Sequence, residues 1–297
     1  MPVTLPPISR RRFLLRSAGG ASALLLGARV GLSAEPANPN RFALLADTHI
    51  DGDPKTEARG VVMATHLEMV IQEVLQGGSK HSAVFVGGDC AYLTGQSQDY
   101  LTLIELLGPM REAGLPVHLA LGNHDNRERM WAALKEKGSN PSAVVERHLT
   151  VVESPYANWL VLDSLDETNK TPGVLGQQQL DWLAEQLDRL ADKPALVMVH
   201  HNPDWREGTS GLTDTEPLFE VCKTRNHVKA LFFGHTHHVS FSQKQGMHLV
   251  NLPPVAYVFN QDDPSGWVDA IVREDGMDLR LRSLDHDHPL HDKVTKL

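Results

Sequence analysis

The chain has 297 residues, enough for one large α/β domain or two small ones. Its 37 acidic residues outnumber 28 basic ones, a formal net charge of −9, which disfavours nucleic acid or an anionic membrane as the main partner. The two cysteines cannot make a disulfide framework, and beyond the N-terminal stretch no apolar run is long enough for an integral membrane domain.

The opening, residues 1–34, reads as a leader outside the fold. Ser9-Arg10-Arg11-Arg12-Phe13-Leu14 is a twin-arginine signature, a weakly apolar stretch runs from Ala18 to Leu32, and Leu32-Ser33-Ala34 offers a cleavage site. The stretch is short, rich in Gly and Ala and broken by Arg29, so it makes a poor spanning helix; an uncleaved anchor is the competing reading. The signature resembles that of proteins exported already folded, often with cofactor loaded. It implies the twin-arginine export machinery as a partner and a periplasmic or secreted location. Removing residues 1–34 takes away five arginines and no acids, leaving 23 basic against 37 acidic residues and a net charge of −14. An anionic substrate must then be attracted locally.

Residues 35–40 are a linker, residues 41–285 the domain and residues 286–297 a tail. A first strand, Phe42 to Ala46, leads to Asp47-Thr48-His49. Thr56 to Gln76 reads as a helix stopped by Gly77-Gly78, with His66 on it as a packed or surface residue. A second strand, Ala83 to Val86, leads to Gly88-Asp89; Cys90 reads as a small packed residue, and no bridge to Cys222 is expected. The periodicity predicts a helix over Gln98–Ala113 and a strand from Val117 to Leu121, followed by Gly122-Asn123-His124-Asp125. A short helix and a variable stretch with Gly138 to Pro141 come next, then a strand over Asn158–Asp163 and an amphipathic helix over Leu175–Leu190. Strands at Ala195–Val199 and Ala230–Phe233 lead to His200-His201 and to Gly234-His235-Thr236-His237. Residues 203–217 between them, with Trp205, form a candidate lid loop. Val268–Val272 and Met277–Leu281 alternate around Asp275-Gly276, a hairpin signal. The tail, rich in His and Asp, reads as a solvated terminus. Alternating strands and helices followed by late hairpins predict an α/β fold, a layered sandwich of two mixed β-sheets flanked by helices.

Each of the five polar segments sits where an apolar strand should end, and in an open α/β sheet that edge is where ligands bind. Imidazoles and carboxylates brought together there are costly unless a cation lies between them. His, Asp and Asn suit transition metals, and the lack of clustered Cys argues against a thiolate site. Seven ligands are too many for one ion and fit two, roughly 3.5–4 Å apart, as in clamps for in-line displacement at phosphorus.

The series D-x-H, G-D, G-N-H-D, H and G-H-x-H resembles the calcineurin-like metallophosphoesterase superfamily over nearly the whole chain after the leader. The resemblance implies one metal at Asp47, His49, Asp89 and His237 and the other at Asp89, Asn123, His200 and His235, with Asp89 bridging two ions of Fe, Mn or Zn. It makes His124 the group that faces the phosphoryl. Asp125, beside it, either hydrogen-bonds His124 and raises its basicity or caps the following turn. His201 and His238 either line the pocket or lie on the surface. Gly88-Asp89-Cys90-Ala91-Tyr92 also fits the G-D-x-x-Y of purple acid phosphatases, but Asp47-Thr48-His49 departs from their D-x-G, so Tyr92 reads as packing.

A water shared by two cations gives a hydroxide at neutral pH, and the metals neutralise charge growing on the phosphoryl oxygens. The leaving alkoxide needs a proton, for which His124 is the candidate. The expected activity is hydrolysis of a small phosphorylated substrate. Cyclic-nucleotide phosphodiesterases resemble the chain most in having D-x-H with G-N-H-D, although export weighs against that substrate. The alternatives are a broad-specificity phosphomonoesterase and a non-catalytic exported metal-binding protein.

Overall fold

Alternate residues of the central strands face different apolar layers, and this alternation sets the architecture. Phe42 and Leu44 lie in one core while Ala43 and Leu45 lie in another, as side chains on successive strand residues must. The computed structural model describes residues 4–8, 37–76, 80–136, 147–206 and 208–297. The first sheet has seven strands in the order β1 (Thr4–Leu5), β6 (Val117–Leu119), β5 (Ala83–Val86), β2 (Arg41–Leu45), β13 (Gly266–Arg273), β14 (Gly276–Ser283) and β15 (Val294–Lys296). The second has six: β11 (Ser240–Lys244), β12 (Met247–Asn251), β10 (Val228–Phe233), β9 (Ala195–Met198), β8 (Asn158–Val161) and β7 (Thr150–Glu153). Strands β2, β5 and β6 run parallel, as do β8, β9, β10 and β12.

The two sheets face each other across an aromatic core. Trp159 stacks on Phe85 at 4.8 Å, meets Phe42 edge-on at 5.4 Å and leans on Phe232 at 5.1 Å. Such pairs add about 0.5–1.5 kcal/mol each beyond the area they bury. The outer face of the first sheet is covered by α1 (Met63–Gln76), α2 (Ser97–Leu106), α3 (Gly108–Glu112) and α4 (Arg127–Glu136). That of the second is covered by α5 (Gln177–Arg189) and α6 (Thr215–Lys223). In α5 the buried Leu180, Leu183 and Leu187 recur at helical spacing. This is the layered α/β sandwich expected from the sequence.

Four stretches differ from the sequence reading. Residues 56–62 are not helical: β3 (Glu57–Ala58) pairs with β4 (Val61–Val62) across a tight turn at Arg59-Gly60, and α1 begins only at Met63. The helix expected over 98–113 breaks at Leu107, where Pro109 enters the first turn of α3. The tail is not merely solvated, since Val294–Lys296 closes the first sheet against β14. Within the opening, Leu5 is fully buried and pairs with Val117, so residues 4–8 pack on the fold. The rest of the leader to Ala34, the Gly77-Gly78 stop and the Gly138–Pro141 stretch lie outside the described residues. Cys90 and Cys222 are buried and free. Among the described residues no helix is long and apolar enough to cross a membrane.

Candidate metal centre

Five loops at one edge carry the polar segments. Asp47 and His49 follow β2, Asp89 follows β5, Asn123 and His124 follow β6, His200 follows β9, and His235 and His237 follow β10. The first three loops come from one sheet and the last two from the other, so two parallel runs converge at their carboxyl ends. The loops turn sharply: Asp47, His49, Asp89, His235 and His237 have φ between 46° and 68°. Each residue held there costs about 1–3 kcal/mol and persists only where its surroundings impose it. The surroundings here are the loops themselves. The N–H of Asp47 donates to Gly88 O at 3.0 Å, that of His49 to Asp89 O at 2.9 Å, and that of Ala256 to Asp47 O at 3.1 Å. Glycine leaves the space: a Cβ on Gly122 would overlap Asp89 Oδ1 and lie 2.6 Å from His200 Nε2.

The side chains form three overlapping groups, one of which joins His49, Asp89 and His124. Ligand atoms of Asp47, His49 and His237 lie within 4.8 Å of one another, and so do those of Asp89, His200 and His235. Asp89 stands between them, its Oδ2 3.3 Å from His200 Nε2 and 3.8 Å from His49 Nε2. The Nδ1 atoms of His200 and His237 lie 2.9 Å from Gly87 O and 2.6 Å from Tyr257 O. Donation to those carbonyls puts the hydrogen on Nδ1 and turns each Nε2 lone pair inward, as a metal ligand requires. His200 Nε2 and Asn123 Oδ1 are buried and accept no hydrogen bond in the protein.

The electrostatics favour a cation here. Burial pushes the imidazole pKa of His49 well below its ordinary range and that of His235 to about 4, so both are neutral donors of lone pairs. Burial also disfavours charge on His200, but Asp89 and Asp47 beside it raise its pKa to about 9. Asp89, despite its burial, is held well below the carboxylate range by the surrounding imidazoles. A place that charges a buried imidazole is one that stabilises positive charge. The neutral imidazoles, the orphaned oxygen and nitrogen and the central carboxylate together fit a pair of transition-metal ions.

The neighbours of these residues divide. His124 faces the centre: its Nε2 is 4.0 Å from Asp89 Oδ2, and its Nδ1 is 2.6 Å from Leu93 O. Asp125 is not its partner. The Asp125 carboxylate accepts the N–H groups of Gly122 at 2.9 Å, Ala91 at 3.0 Å and Cys90 at 3.1 Å. It ties the Asp89 loop to the Asn123 loop, and burial together with Asp89 raises its pKa to about 7. The Asp125 role expected beside His124 is therefore corrected to one of loop anchoring. His201 is buried, with Nδ1 2.7 Å from Ser164 Oγ and its ring 4.7 Å from His235. His238 is at the surface, 2.5 Å from Asp263. Tyr92 packs on the helix-side core, and His66 Nδ1 is 2.6 Å from Ala256 O. Tyr257 and Phe259, which stack on His49 and His237, carry no sequence signal; they lie outside every motif, on a loop that follows β12.

A four-layer α/β sandwich with imidazoles and carboxylates at converging strand ends defines a metal-dependent hydrolase of phosphate esters. The chain belongs to the calcineurin-like phosphoesterase family, which it matches over residues 40–239. It is similar to the 3',5'-cyclic adenosine monophosphate phosphodiesterase CpdA of Haemophilus influenzae, with 28% identity over 224 residues, 73% of this chain and 77% of that protein. A 3',5'-cyclic-nucleotide phosphodiesterase of Nostoc is 25% identical over 227 residues, 74% of this chain and 80% of that one. Among solved structures, a dimetal phosphatase from Danio rerio superposes with a TM-score of 0.65 at 15% identity, covering 86% of this chain and 98% of its own. A purple acid phosphatase from yellow lupin gives 0.62 at 14% identity, covering 85% of this chain and 52% of its own. At these identities the two structures share the fold.

Proposed function

We propose that the protein is a dinuclear-metal phosphodiesterase acting on cyclic-nucleotide-like esters. The observation that carries the reading is Asp89, one buried carboxylate set between two imidazole-bearing groups. Asp47, His49, Asp89 and His237 would hold one ion, and Asp89, Asn123, His200 and His235 the other; Fe, Mn and Zn all suit such ligands. When bound, the pair supplies Lewis acidity at the phosphoryl oxygens and lowers the pKa of the attacking water. The protein's own contribution is orientation and proton transfer. The carbonyl tethers fix the rings of His200 and His237. His124 Nε2, on the open side of Asp89, is placed to give a proton to the leaving oxygen. The names of the relatives from Haemophilus influenzae and Nostoc support a cyclic phosphodiester as the substrate.

The test is a panel assay of the metal-loaded protein. The expected result is a higher kcat/KM for 3',5'-cyclic AMP and bis(p-nitrophenyl) phosphate than for p-nitrophenyl phosphate. A preference for the monoester would replace the reading with a broad-specificity phosphomonoesterase.

We further propose export by the twin-arginine machinery, from the Ser9–Leu14 signature. Replacing Arg10 and Arg11 with Lys in the full chain should leave the protein in the cytoplasmic fraction. Unchanged appearance in the periplasmic fraction would end the export proposal.

A further inference from the structure

We infer that Arg59 and Phe259, backed by the buried Tyr257, form a platform that takes the planar base of a nucleotide; the choice of a nucleotide rests on the phosphodiesterase reading above. Phe259 is 53% exposed, although it is a large apolar ring. It lies nearly parallel to His237, 4.2 Å away at an interplanar angle of 13°. Tyr257 stacks on His49 at 5.1 Å and 20°. The guanidinium carbon of Arg59 is 4.8 Å from the centre of the Phe259 ring and 5.7 Å from that of Tyr257. Planar groups thus run outward without a gap from the two imidazoles of the first metal group.

Arg59 occupies an unusual place. It stands at the tip of the β3–β4 hairpin, where Arg59 and Gly60 have φ of 53° and 81°. A turn with two positive φ values favours Asn-Gly or Asp-Gly, so an arginine there is held against its backbone preference. The side chain is exposed, and among the described residues its contacts are the two aromatic rings and no carboxylate. In a chain with a formal net charge of −9, an arginine with no acidic partner among the described residues, set over the rings beside the centre, is available to a ligand.

The chemistry of this layer selects the ligand. Guanidinium and phenyl planes both stack on nucleobases. With a phosphate at the metal centre, the base lies one sugar further out, in the direction in which the rings run. Stacking is tolerant, because every base has a π-face. The platform therefore predicts little discrimination between adenine and guanine.

The test is calorimetric binding of AMP and of ribose 5-phosphate to the metal-loaded full chain. AMP should bind about 5- to 160-fold more tightly, the worth of one stacked base. Phe259→Leu keeps the apolar contact and Arg59→Ala removes the cation; each should shrink that ratio towards one with metal content and ribose 5-phosphate affinity unchanged. Phe259→Trp should retain it. The proposal is overturned if the wild type binds both ligands equally, if both variants keep the AMP advantage, or if Phe259→Leu weakens ribose 5-phosphate as much as AMP. That last result would make the ring a support for His237 alone. Hydrolysis of 3',5'-cyclic AMP by the wild type is scored separately. An AMP advantage lost in the variants, with no cyclic AMP hydrolysis, keeps the platform and ends the phosphodiesterase reading. Cyclic AMP hydrolysis with no AMP advantage does the reverse.

Discussion

Asp89→Ala is expected to abolish hydrolysis and to strip metal from both halves of the centre together. The carboxylate is 2% exposed, and its Oδ2 reaches towards His200 at 3.3 Å and His49 at 3.8 Å. Without it the only carboxylate in either group is Asp47, and neutral imidazoles cannot offset the charge of two divalent ions crowded into a buried site. A defect confined to one half would leave about one ion per chain; loss of a shared anion should leave far less. Asp89 also has a structural duty, because its Oδ1 accepts the His124 N–H at 2.8 Å. Asp89→Asn keeps an acceptor there and removes the charge, so it separates loss of metal from loss of fold. Both variants should show unchanged circular dichroism when stripped of metal. Elemental analysis returning about two metals per chain in either variant would end the shared role proposed for Asp89.

The strand ends were legible because the apolar runs are short and each stops at Asp, Asn or His. Asp47, His49, Asp89, His200, His235 and His237 all reach one edge, and topology alone takes them there. Contacts made across the chain were not legible. Asp125 directly follows His124, yet its carboxylate turns away to bind backbone N–H groups of the Asp89 loop. Neighbours in a tight turn point apart, and sequence adjacency does not say which carboxylate meets which ring. The hairpin at residues 57–62 was hidden because Val61 and Val62 also fit the apolar stripe of the helix that follows. The tail was hidden by its polarity; β15 is an edge strand of mostly exposed residues, held through backbone pairing with Asp278, Leu279 and Arg280. Tyr257 and Phe259 lack any motif. They reach the centre because the loop after β12 runs beside Asp47, with Val255 N–H bonded to Ala46 O at 2.9 Å.

His124→Ala is expected to keep both ions, stay folded and lose activity by roughly 10²–10⁴-fold, the usual worth of general acid catalysis. The ring is anchored at one end only. Its Nδ1 lies 2.6 Å from Leu93 O, which assigns that hydrogen to the tether and leaves Nε2 facing Asp89. To act as an acid, the ring must carry a second proton on Nε2, the nitrogen that faces the centre. Truncation frees Leu93 O, but Leu93 is 49% exposed and water can take the bond, so the fold should hold. The loss should be greatest for alkyl esters, whose poor leaving groups need protonation, and smaller for p-nitrophenyl esters, which leave as stable phenolates. His200→Ala and His235→Ala should instead slow both classes alike, because those residues serve the metal group on which every substrate depends. The deciding measurement is the ratio of alkyl to aryl ester rates in each variant, with metal content checked in parallel. If His124→Ala slows both esters equally and retains its metal, the residue orients the phosphoryl oxygens and does not donate the proton.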